Sequence, residues 1–382
     1  MIRDLAIARE LRGLRDDIEI TWIASHPASV KIEEEGEVLH PRASSFANDN
    51  ESAEESSRGV NLNLLKYLSR ARGAWDTNVG IFDEVTRDGD FDLVIGDETY
   101  ELLVAQMKDP SLNRLPFVMI YDFLGVDALT WNPVERVMSY VWNRIWSGDR
   151  KLYSTGRNIA LFVGEPEDVP DRRFGLMLPN RRTHAREHYT FIGYIIGFDP
   201  AGYSDREALR ARLGHGDGPL IVCSIGGTSV GKDLLELCGK AYTILREQLP
   251  DVQMLAVCGP RIDPGSIDLP EGVDVRGYVP KLYEHFAASD LAIVLGGGTS
   301  TLELTCLQRP FLYFPIEGHF EQELTVASRL ARHRAGERMS FSGTTPDSLA
   351  EKVVSTIGRE VDYDLSNMDG ARVAAQRISE LL

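Results

Sequence analysis

Short runs rich in β-branched and aromatic residues alternate with helix-length amphipathic runs along the whole chain. This alternation is typical of parallel α/β proteins, because each buried strand needs a crossover helix to return the chain to the same end of the sheet. The sequence therefore predicts an α/β fold built on parallel sheets.

The predicted strands are short, apolar and bounded by glycine, proline or polar residues. They are Ile18–Ala24, Phe91–Asp97, Pro116–Asp122, Asn158–Gly164, Pro219–Gly227, Val252–Gly259, Val273–Val279, Leu291–Gly297 and Pro310–Pro315. Helices are predicted at Ile2–Leu14, Leu62–Arg87 and Glu135–Trp146 in the first half. The polar stretch Ala43–Arg58 is predicted to be a loop.

A change of composition near residue 198 marks a domain boundary. Phe191–Leu209 passes from an apolar strand to a segment rich in Gly, Pro and Ser, and 382 residues are enough for two cores. We predict an N-terminal domain at 1–198, a linker at 199–218, a C-terminal domain at 219–358, and a tail helix within 359–382 that packs back on the N-terminal domain. Two doubly wound domains would face each other across a cleft lined by the carboxyl ends of both sheets.

Charge and cysteine content exclude several classes of protein. The net charge of −17 argues against a nucleic-acid binder and against a protein held on anionic lipid by charge, because either surface is itself negative and would repel most of this chain. A local basic patch stays open as an exception. The four cysteines lie far apart, which favours reduced thiols over a zinc site or a disulfide framework. No segment approaches the about 20 apolar residues that span a bilayer. We expect a cytoplasmic protein.

The first candidate ligand motif is SIGGTSVGK, Ser224–Lys232, which follows a strand and opens a helix. Gly226 and Gly227 allow close backbone approach to a ligand, and free N–H groups at a helix start attract phosphate. A tight strand-to-helix turn without a ligand explains the same glycines equally well. Because Lys232 is followed by Asp233, the motif is not a Walker loop.

The second motif is GGGTSTLEL, starting at Gly296, again between a strand and a helix. The helix start predicts another anion site. Ser300 and Glu303 have the spacing of a capping box, so Glu303 either closes its own helix start or accepts hydrogen bonds from the vicinal hydroxyls of a ribose. Glu321 and Gln322 follow the next strand; they either begin a helix or bind sugar hydroxyls.

Taken together, Gly296–Gln322 resembles the donor-binding segment of GT-B glycosyltransferases, both the MurG-like family and the UDP-glycosyltransferases. A looser likeness extends from Pro219 to Ile357. Leu295 stands where the plant-type motif has a histidine, which favours the MurG-like branch. The resemblance implies a GT-B fold of two doubly wound, Rossmann-like domains, the N-terminal one on the acceptor side and the C-terminal one binding the nucleotide sugar.

The resemblance also implies roles for individual residues. Glu303 would hold the ribose, and Glu321 with Gln322 would hold the transferred sugar. The residues on the diphosphate side would be Gly298, Thr299, Ser300, Gly226, Gly227 and Thr228. The base would be recognised by Gly277, Tyr278 and Val279. The implied reaction is hexosyl transfer with inversion from a UDP-sugar co-substrate, with no metal and no cofactor, since helix amino ends stabilise the leaving diphosphate.

The N-terminal half departs from the family pattern. MurG-like chains begin with an apolar strand and a glycine loop, whereas here the helix Ile2–Leu14 comes first. In a doubly wound sheet that first strand is central, so its absence would leave unpaired backbone groups. We expect the natural protein to start upstream, or this chain to be a truncated and inactive form; an apolar strand and glycine loop encoded in frame before Met1 would support the first expectation.

The catalytic base is sought among residues that end N-terminal strands. Asp122 follows Pro116–Tyr121 and lies near the place where MurG-like proteins have an acceptor-side acidic residue, and His26 follows Ile18–Ala24. Asp122 is our first candidate, with a helix cap or a solvated carboxylate as the alternative. Asp97 and Glu98 end a neighbouring strand.

The acceptor is poorly specified. The segment Leu129–Gly148 carries tryptophans and valines at helical spacing, and we expect this helix to be buried in the core; the alternative is a helix lying on lipid. A lipid-linked acceptor and peripheral contact with the inner face of the membrane would suit a MurG relative. Two other functions stay open: a nucleotide-sugar epimerase or hydrolase on the same fold, and a non-catalytic donor-binding subunit.

Overall fold

A computed structural model describes residues 1–47, 57–58, 61–62, 64–154, 156–227 and 230–382. The chain divides into two compact units. The first contains Leu64–Gly197 and Asn367–Leu382 together with the N-terminal segment, and the second contains Phe198–Ser366. The chain thus passes from the first unit into the second after Gly197, beside the predicted boundary, and returns to the first unit at Asn367.

The described helices and strands follow the predicted alternation. The helices are α1 (Ile2–Leu14), α2 (Ala28–Glu34), α3 (Leu64–Asp88), α4 (Tyr100–Lys108), α5 (Pro133–Trp146), α6 (Arg150–Tyr153), α7 (Arg181–His188), α8 (Arg206–Leu213), α9 (Lys232–Gln248), α10 (Leu282–Ala288), α11 (Gly298–Cys306), α12 (Ala327–Arg332), α13 (Pro346–Thr356) and α14 (Gly370–Ser379). The strands are β1 (Thr21–Trp22), β2 (Val38–Leu39), β3 (Ser57–Arg58), β4 (Asn61–Leu62), β5 (Val94–Asp97), β6 (Phe117–Tyr121), β7 (Ile159–Val163), β8 (Thr190–Gly193), β9 (Leu220–Ser224), β10 (Gln253–Val257), β11 (Val273–Arg276), β12 (Leu291–Leu295), β13 (Phe311–Phe314) and β14 (Glu337–Arg338).

The first unit contains a four-stranded parallel sheet in the order β5-β6-β7-β8. Strand β1 pairs in parallel with β2 in a separate two-stranded sheet. The strands of the first unit therefore form two separate parallel sheets, whereas the resemblance predicts one doubly wound sheet with a central strand. Helices α1 and α14 pack together against one face of the larger sheet, through Ile7, Leu11 and Ile378. The C-terminal helix thus belongs to the first unit.

The second unit contains a six-stranded sheet in the order β11-β10-β9-β12-β13-β14, with parallel pairing throughout. This is the doubly wound order, which reverses between β9 and β12. Strands β9, β12 and β13 are buried along their whole length, as expected when helices cover both faces of a parallel sheet. Helices α9 and α13 cover one face, and α10, α11 and α12 cover the other.

The segment predicted to be a linker, 199–218, is part of the second unit. It forms α8, whose Leu209 is buried in the core cluster on the α10 side. Asp290 accepts hydrogen bonds from Arg206, Arg210 and the backbone N–H of Leu220. The polar composition of this segment reflects its solvent-facing side, while one apolar residue and two arginines attach it to the sheet.

Two further features concern the predicted loop and membrane spans. The start of the predicted loop Ala43–Arg58 lies in a 3₁₀ helix, Pro41–Ser45, and its end, Ser57–Arg58, forms β3. Residues 48–56 lie outside the described part of the chain. Within the described part of the chain, no helix is both long and apolar enough to cross a membrane.

Helix α5 presents its apolar residues to solvent. Val134, Val137 and Val141 are 55%, 62% and 49% exposed, whereas the residues that α5 buries include the polar Glu135 together with Trp146. The prediction that the valines of this segment lie in the core is therefore wrong; of its predicted core, Trp146 is buried.

Gly259, after β10, packs closely against Gly226, after β9. Its φ is +77°, and a Cβ there would lie 2.2 Å from the carbonyl oxygen of Gly226. We predict that Gly259→Ala lowers the free energy of unfolding by about 1–3 kcal/mol, measured by urea denaturation followed by circular dichroism. Gly202→Ala is the matched control, because nothing lies within 4 Å of its Cβ position. Equal stability of the two variants would contradict the prediction.

Candidate functional site

The predicted donor-binding residues all follow carboxyl ends of strands in the second unit. Gly226 and Gly227 follow β9, Gly277–Val279 follows β11, α11 follows β12, and Glu321 with Gln322 comes after β13. In a parallel sheet these ends share one edge. From β11 to β13 the edge crosses four strand spacings, about 19 Å in all, which gives room for an extended ligand.

The glycine turn after β12 is closely packed. A Cβ on Gly296 would lie 3.0 Å from Pro315 Cα and 3.3 Å from the Oε1 atom of Gln322. Glycine therefore lets the turn approach the segment that follows β13. Helix α11 begins at Gly298, and no side chain caps it. Its first N–H groups, including those of Thr299 and Ser300, have no intrahelical partner, which makes this helix start suitable for an anion.

The structure excludes the capping-box interpretation of Glu303, and the ribose interpretation stays a prediction. Gly297 precedes α11, so Ser300 lies inside its first turn and does not cap it. Glu303 is 6% exposed, and no hydrogen bond or ion pair joins its carboxyl group to a residue that the structure describes. Burial raises the pKa of Glu303 to about 8. A buried carboxyl group without a protein partner is costly and marks a candidate ligand site.

The Glu-Gln pair begins a π-helical segment, Glu321–Val326. Such segments are rare and are frequent at functional sites. The Oε1 atom of Gln322 accepts a hydrogen bond of 3.0 Å from the backbone N–H of Ile316. The sequence predicts that this amide both donates to and accepts from sugar hydroxyls; with its oxygen engaged, the NH₂ group is the part left for a ligand.

His319 is a residue of this region that the sequence motifs missed. Its Nδ1 atom lies 3.4 Å from the backbone nitrogen of Gln322 and accepts from it. Burial lowers the pKa of His319 to about 4, so the ring is neutral near pH 7 and carries its proton on Nε2. The position of His319 between a parallel strand and the Glu-Gln pair is the signal that would have indicated it.

Arg329 also escaped the sequence motifs. It lies on α12, 8% exposed, and its Nη2 atom donates a 3.2 Å hydrogen bond to the carbonyl oxygen of Gly298. A fixed guanidinium group therefore lies beside the uncapped start of α11. Helix dipole and cation together give positive potential at this turn.

The remaining donor-side residues are placed at two strand ends. Gly226 has φ +73°, and its N–H donates to the Oγ atom of Ser224 over 3.2 Å. Thr228 lies outside the described residues. After β11, the side chain of Tyr278 is 42% exposed, while Val279 packs against the core.

In the first unit, Asp122 lies at the end of β6 in a charged cluster centred on Arg3. Arg3 donates to Asp122 through Nη1 at 3.0 Å and to Asp97 through Nε at 2.9 Å, and its Nη2 atom lies 3.3 Å from Glu98. Burial, the Asp122 charge and a hydrogen bond to Asp122 raise the pKa of Glu98 well above its ordinary value. Burial also opposes ionisation of Asp122, but Arg3 and the same hydrogen bond outweigh it, and the pKa of Asp122 is lowered.

The two catalytic candidates therefore differ in environment. Asp122 has a lowered pKa and is oriented by Arg3, beside Glu98, whose pKa is raised. His26 lies exposed in the loop between β1 and α2.

Comparison with known proteins concerns the family resemblance and the fold. Residues 221–380 match the model of the glycosyltransferase family 28 C-terminal domain. This part of the chain is therefore similar to that domain, and the chain as a whole has a GT-B fold. This confirms the resemblance and the fold predicted from Gly296–Gln322.

Relatives and solved structures extend the comparison. Over 115 residues the chain is 32% identical to an uncharacterized glycosyltransferase of Methanosarcina mazei, covering 30% of each chain. Over 210 residues it is 27% identical to lipid-A-disaccharide synthase of Xanthomonas axonopodis pv. citri, covering 50% of this chain and 45% of that one. The chain thus spans less than half the length of these relatives. In fold, the spinosyn rhamnosyltransferase SpnG complexed with thymidine diphosphate matches 100% of this chain and 93% of its own, with a TM-score of 0.54 at 17% identity.

The raised pKa of Glu303 makes the stability of the second unit pH-dependent. The unfolded chain releases this proton near its ordinary pKa of 4.5, whereas the folded protein holds it up to about 8. Stability therefore falls as pH rises between these values. We predict that Glu303→Gln gains stability relative to the wild type on going from about pH 5 to about pH 8, measured by urea denaturation. The exposed Glu351→Gln is the control, and parallel profiles for wild type and Glu303→Gln would contradict the prediction.

Proposed function

We propose that this protein is an inverting glycosyltransferase that transfers a hexose from a nucleotide donor, with UDP as the expected nucleotide, to an acceptor hydroxyl. The observation that carries the proposal is the buried carboxyl group of Glu303, which has no hydrogen-bond or ion-pair partner among the described residues and lies more than one turn inside a helix whose start no side chain caps. Within a family 28 domain, this combination offers a carboxylate for a diol beside an anion site.

Each part of the donor has a proposed contact. Both ribose hydroxyls donate to Glu303, which favours its ionised form and lowers its raised pKa on binding. The N–H groups of Gly298–Ser300 bind the diphosphate. Glu321 and the NH₂ group of Gln322 bind the transferred sugar. The segment Gly277–Val279 recognises the base through its backbone. Because backbone contacts discriminate weakly between bases, UDP is an expectation that rests on the resemblance.

The reaction is a direct displacement. The acceptor oxygen forms a bond to the anomeric carbon as the bond from that carbon to the diphosphate oxygen breaks, and the hydroxyl proton passes to a base. The start of α11 and Arg329 stabilise the charge that develops on the departing diphosphate. These groups supply the positive potential that a metal supplies in other transferases, so we propose that the reaction needs no metal and no cofactor.

Asp122 is the proposed base, with His26 as the alternative. Arg3 favours the ionised form of Asp122, whose pKa is lowered, while Glu98 retains a proton to higher pH. Two carboxyl groups with separated pKa values provide both an acceptor and a reservoir for the proton. The proposed acceptor is a lipid-linked hydroxyl, met by a cytoplasmic protein at the membrane surface; the name of the Xanthomonas relative, lipid-A-disaccharide synthase, is consistent with this class.

Variants of Glu303 and Gln322 test the nucleotide end and the sugar end of the donor independently. We predict that Glu303→Ala weakens binding of both UDP and UDP-sugar by about 10- to 100-fold, because a charge-assisted pair of hydrogen bonds is lost. Gln322→Glu keeps the oxygen that accepts from Ile316 but removes the NH₂ donor, so it should weaken UDP-sugar and leave UDP unchanged. Isothermal titration calorimetry measures both, with the exposed Glu351→Ala as control. Equal effects of Gln322→Glu on both ligands would contradict the assignment.

Asp122 is tested by turnover. We predict that Asp122→Asn lowers kcat at least about 100-fold, as expected when a general base is lost, while the KM for the donor is unchanged. Asp171→Asn, on an exposed loop, is the control. Full activity of Asp122→Asn would transfer the role to His26.

A donor panel distinguishes the proposal from its alternatives. The full chain is incubated with UDP-, GDP- and dTDP-sugars, with and without a lipid fraction and with and without EDTA, and binding and nucleotide release are measured. Release that requires lipid and survives EDTA supports the transferase. Release without any acceptor supports a hydrolase, a changed sugar without release supports an epimerase, and binding without either supports a non-catalytic subunit.

A further inference from the structure

Two arginines of α8 share one carboxylate at the amino end of β12 in the second unit. The Oδ1 atom of Asp290 accepts a hydrogen bond from Arg206, and its Oδ2 atom accepts from Arg210. The Oδ2 atom also accepts a 2.7 Å hydrogen bond from the backbone N–H of Leu220, at the start of β9. Both carboxylate oxygens are therefore engaged by α8 and β9.

A third arginine lies beside this group without a partner. Ala292 of β12 is paired in register with Phe311 of β13, so two residues earlier Arg309 comes beside Asp290, on chain segments about 4.8 Å apart. The guanidinium group of Arg309 makes no hydrogen bond or ion pair with a residue that the structure describes, and its Nε atom is buried. A buried cationic N–H group without an acceptor is costly.

The surroundings of these arginines disfavour their charged forms. Burial lowers the pKa of Arg309, and the charge of Arg206 lowers it further. Burial and the charges of Arg206 and Arg309 lower the pKa of Arg210, against a smaller opposite effect of Asp217, which is exposed to solvent. Because arginine stays protonated near pH 7, positive charge is in excess here, on a chain whose net charge is −17.

The arginines are accessible from solvent and lie away from the predicted donor site. The side chain of Arg206 is 34% exposed, and Arg309 is partly exposed. They lie at the amino ends of strands, whereas the predicted donor-binding residues follow the carboxyl ends of the same sheet. The five residues of β12 separate the two edges by about 16 Å. We name Arg206, Arg210 and Arg309 the arginine cluster.

We propose that the arginine cluster binds a phosphate dianion, either free phosphate or a small phosphate monoester. Guanidinium groups bind such oxyanions through charge-assisted hydrogen bonds in a fixed fork geometry. Three guanidinium groups against the carboxylate of Asp290 leave two positive charges, which a dianion neutralises. The ligand would also give Arg309 the acceptor that it lacks. This site goes beyond the proposed glycosyl transfer, because none of its residues is assigned to the donor or the acceptor.

Calorimetric titration of the full chain tests the proposal. Inorganic phosphate and, separately, glycerol 3-phosphate are titrated in phosphate-free buffer of constant chloride concentration. We expect binding at about pH 8 that weakens at about pH 5.5, because a phosphate ester takes up its second proton near pH 6. Tighter binding of glycerol 3-phosphate identifies a monoester as the occupant, and tighter binding of inorganic phosphate identifies the free ion.

Variants of Arg309 locate the bound phosphate. Arg309→Gln should weaken binding at least about tenfold, because a charge-assisted contact is lost, and Arg309→Lys should weaken it less, because the charge is kept without the fork. Both variants should fold, since the guanidinium group has no described partner to lose. In phosphate-free buffer, urea denaturation should show Arg309→Gln to be at least as stable as the wild type, because like charges no longer repel.

Controls separate this site from the donor site and from a structural role. Arg377→Gln removes an arginine that is 50% exposed on α14 and should bind phosphate as the wild type does. UDP-sugar binding should be unchanged in Arg309→Gln, so failure of the donor proposal is seen separately. Absence of wild-type phosphate binding overturns the proposal. So does binding that Arg309→Gln leaves unchanged; if Arg329→Gln lowers that binding, the phosphate lies at the start of α11 instead.

Discussion

Parallel pairing of β9 with β12 is the constraint on which the candidate site depends. The strand order reverses between these neighbours, so the helices that follow them, α9 and α11, cover opposite faces of the sheet. The chain leaves the adjacent ends of β9 and β12 toward opposite faces of the sheet, and the two glycine turns lie at these strand ends. A ligand placed there meets backbone N–H groups from both turns, which is why open α/β sheets bind ligands at this position.

The polar groups at this edge are held by backbone contacts. Arg329 donates to the carbonyl oxygen of Gly298, and the backbone N–H of Ile316 holds the Oε1 atom of Gln322. These bonds fix the positions of a cation and an amide before any ligand arrives, which reduces the entropy lost on binding. Glu303 is the exception, because its carboxyl group is buried without a described partner. Its raised pKa records the cost of that burial.

In the first unit, ion pairs and side-chain hydrogen bonds join different elements. Arg3 on α1 joins acidic residues that end β5 and β6, so a helix and two strands share one charged cluster. On α5, hydrogen bonds to Glu135 and Asn143 decide which side of the helix faces inward. In both places polar contacts determine the orientation of an element, and on α5 the apolar residues are left exposed as a result.

Much of this arrangement was determined by the sequence alone. Alternating strand and helix patterns predicted the parallel α/β fold, and the glycines, Glu303 and the Glu-Gln pair predicted where a donor would bind, since these features depend on local spacing. The tertiary structure decided what spacing cannot show. It decided that Ser300 lies inside α11 and does not cap it, that Ile316 engages Gln322, and that the valines of α5 face solvent. Periodicity identifies an apolar face, but only the neighbours that pack against a helix determine whether that face is covered.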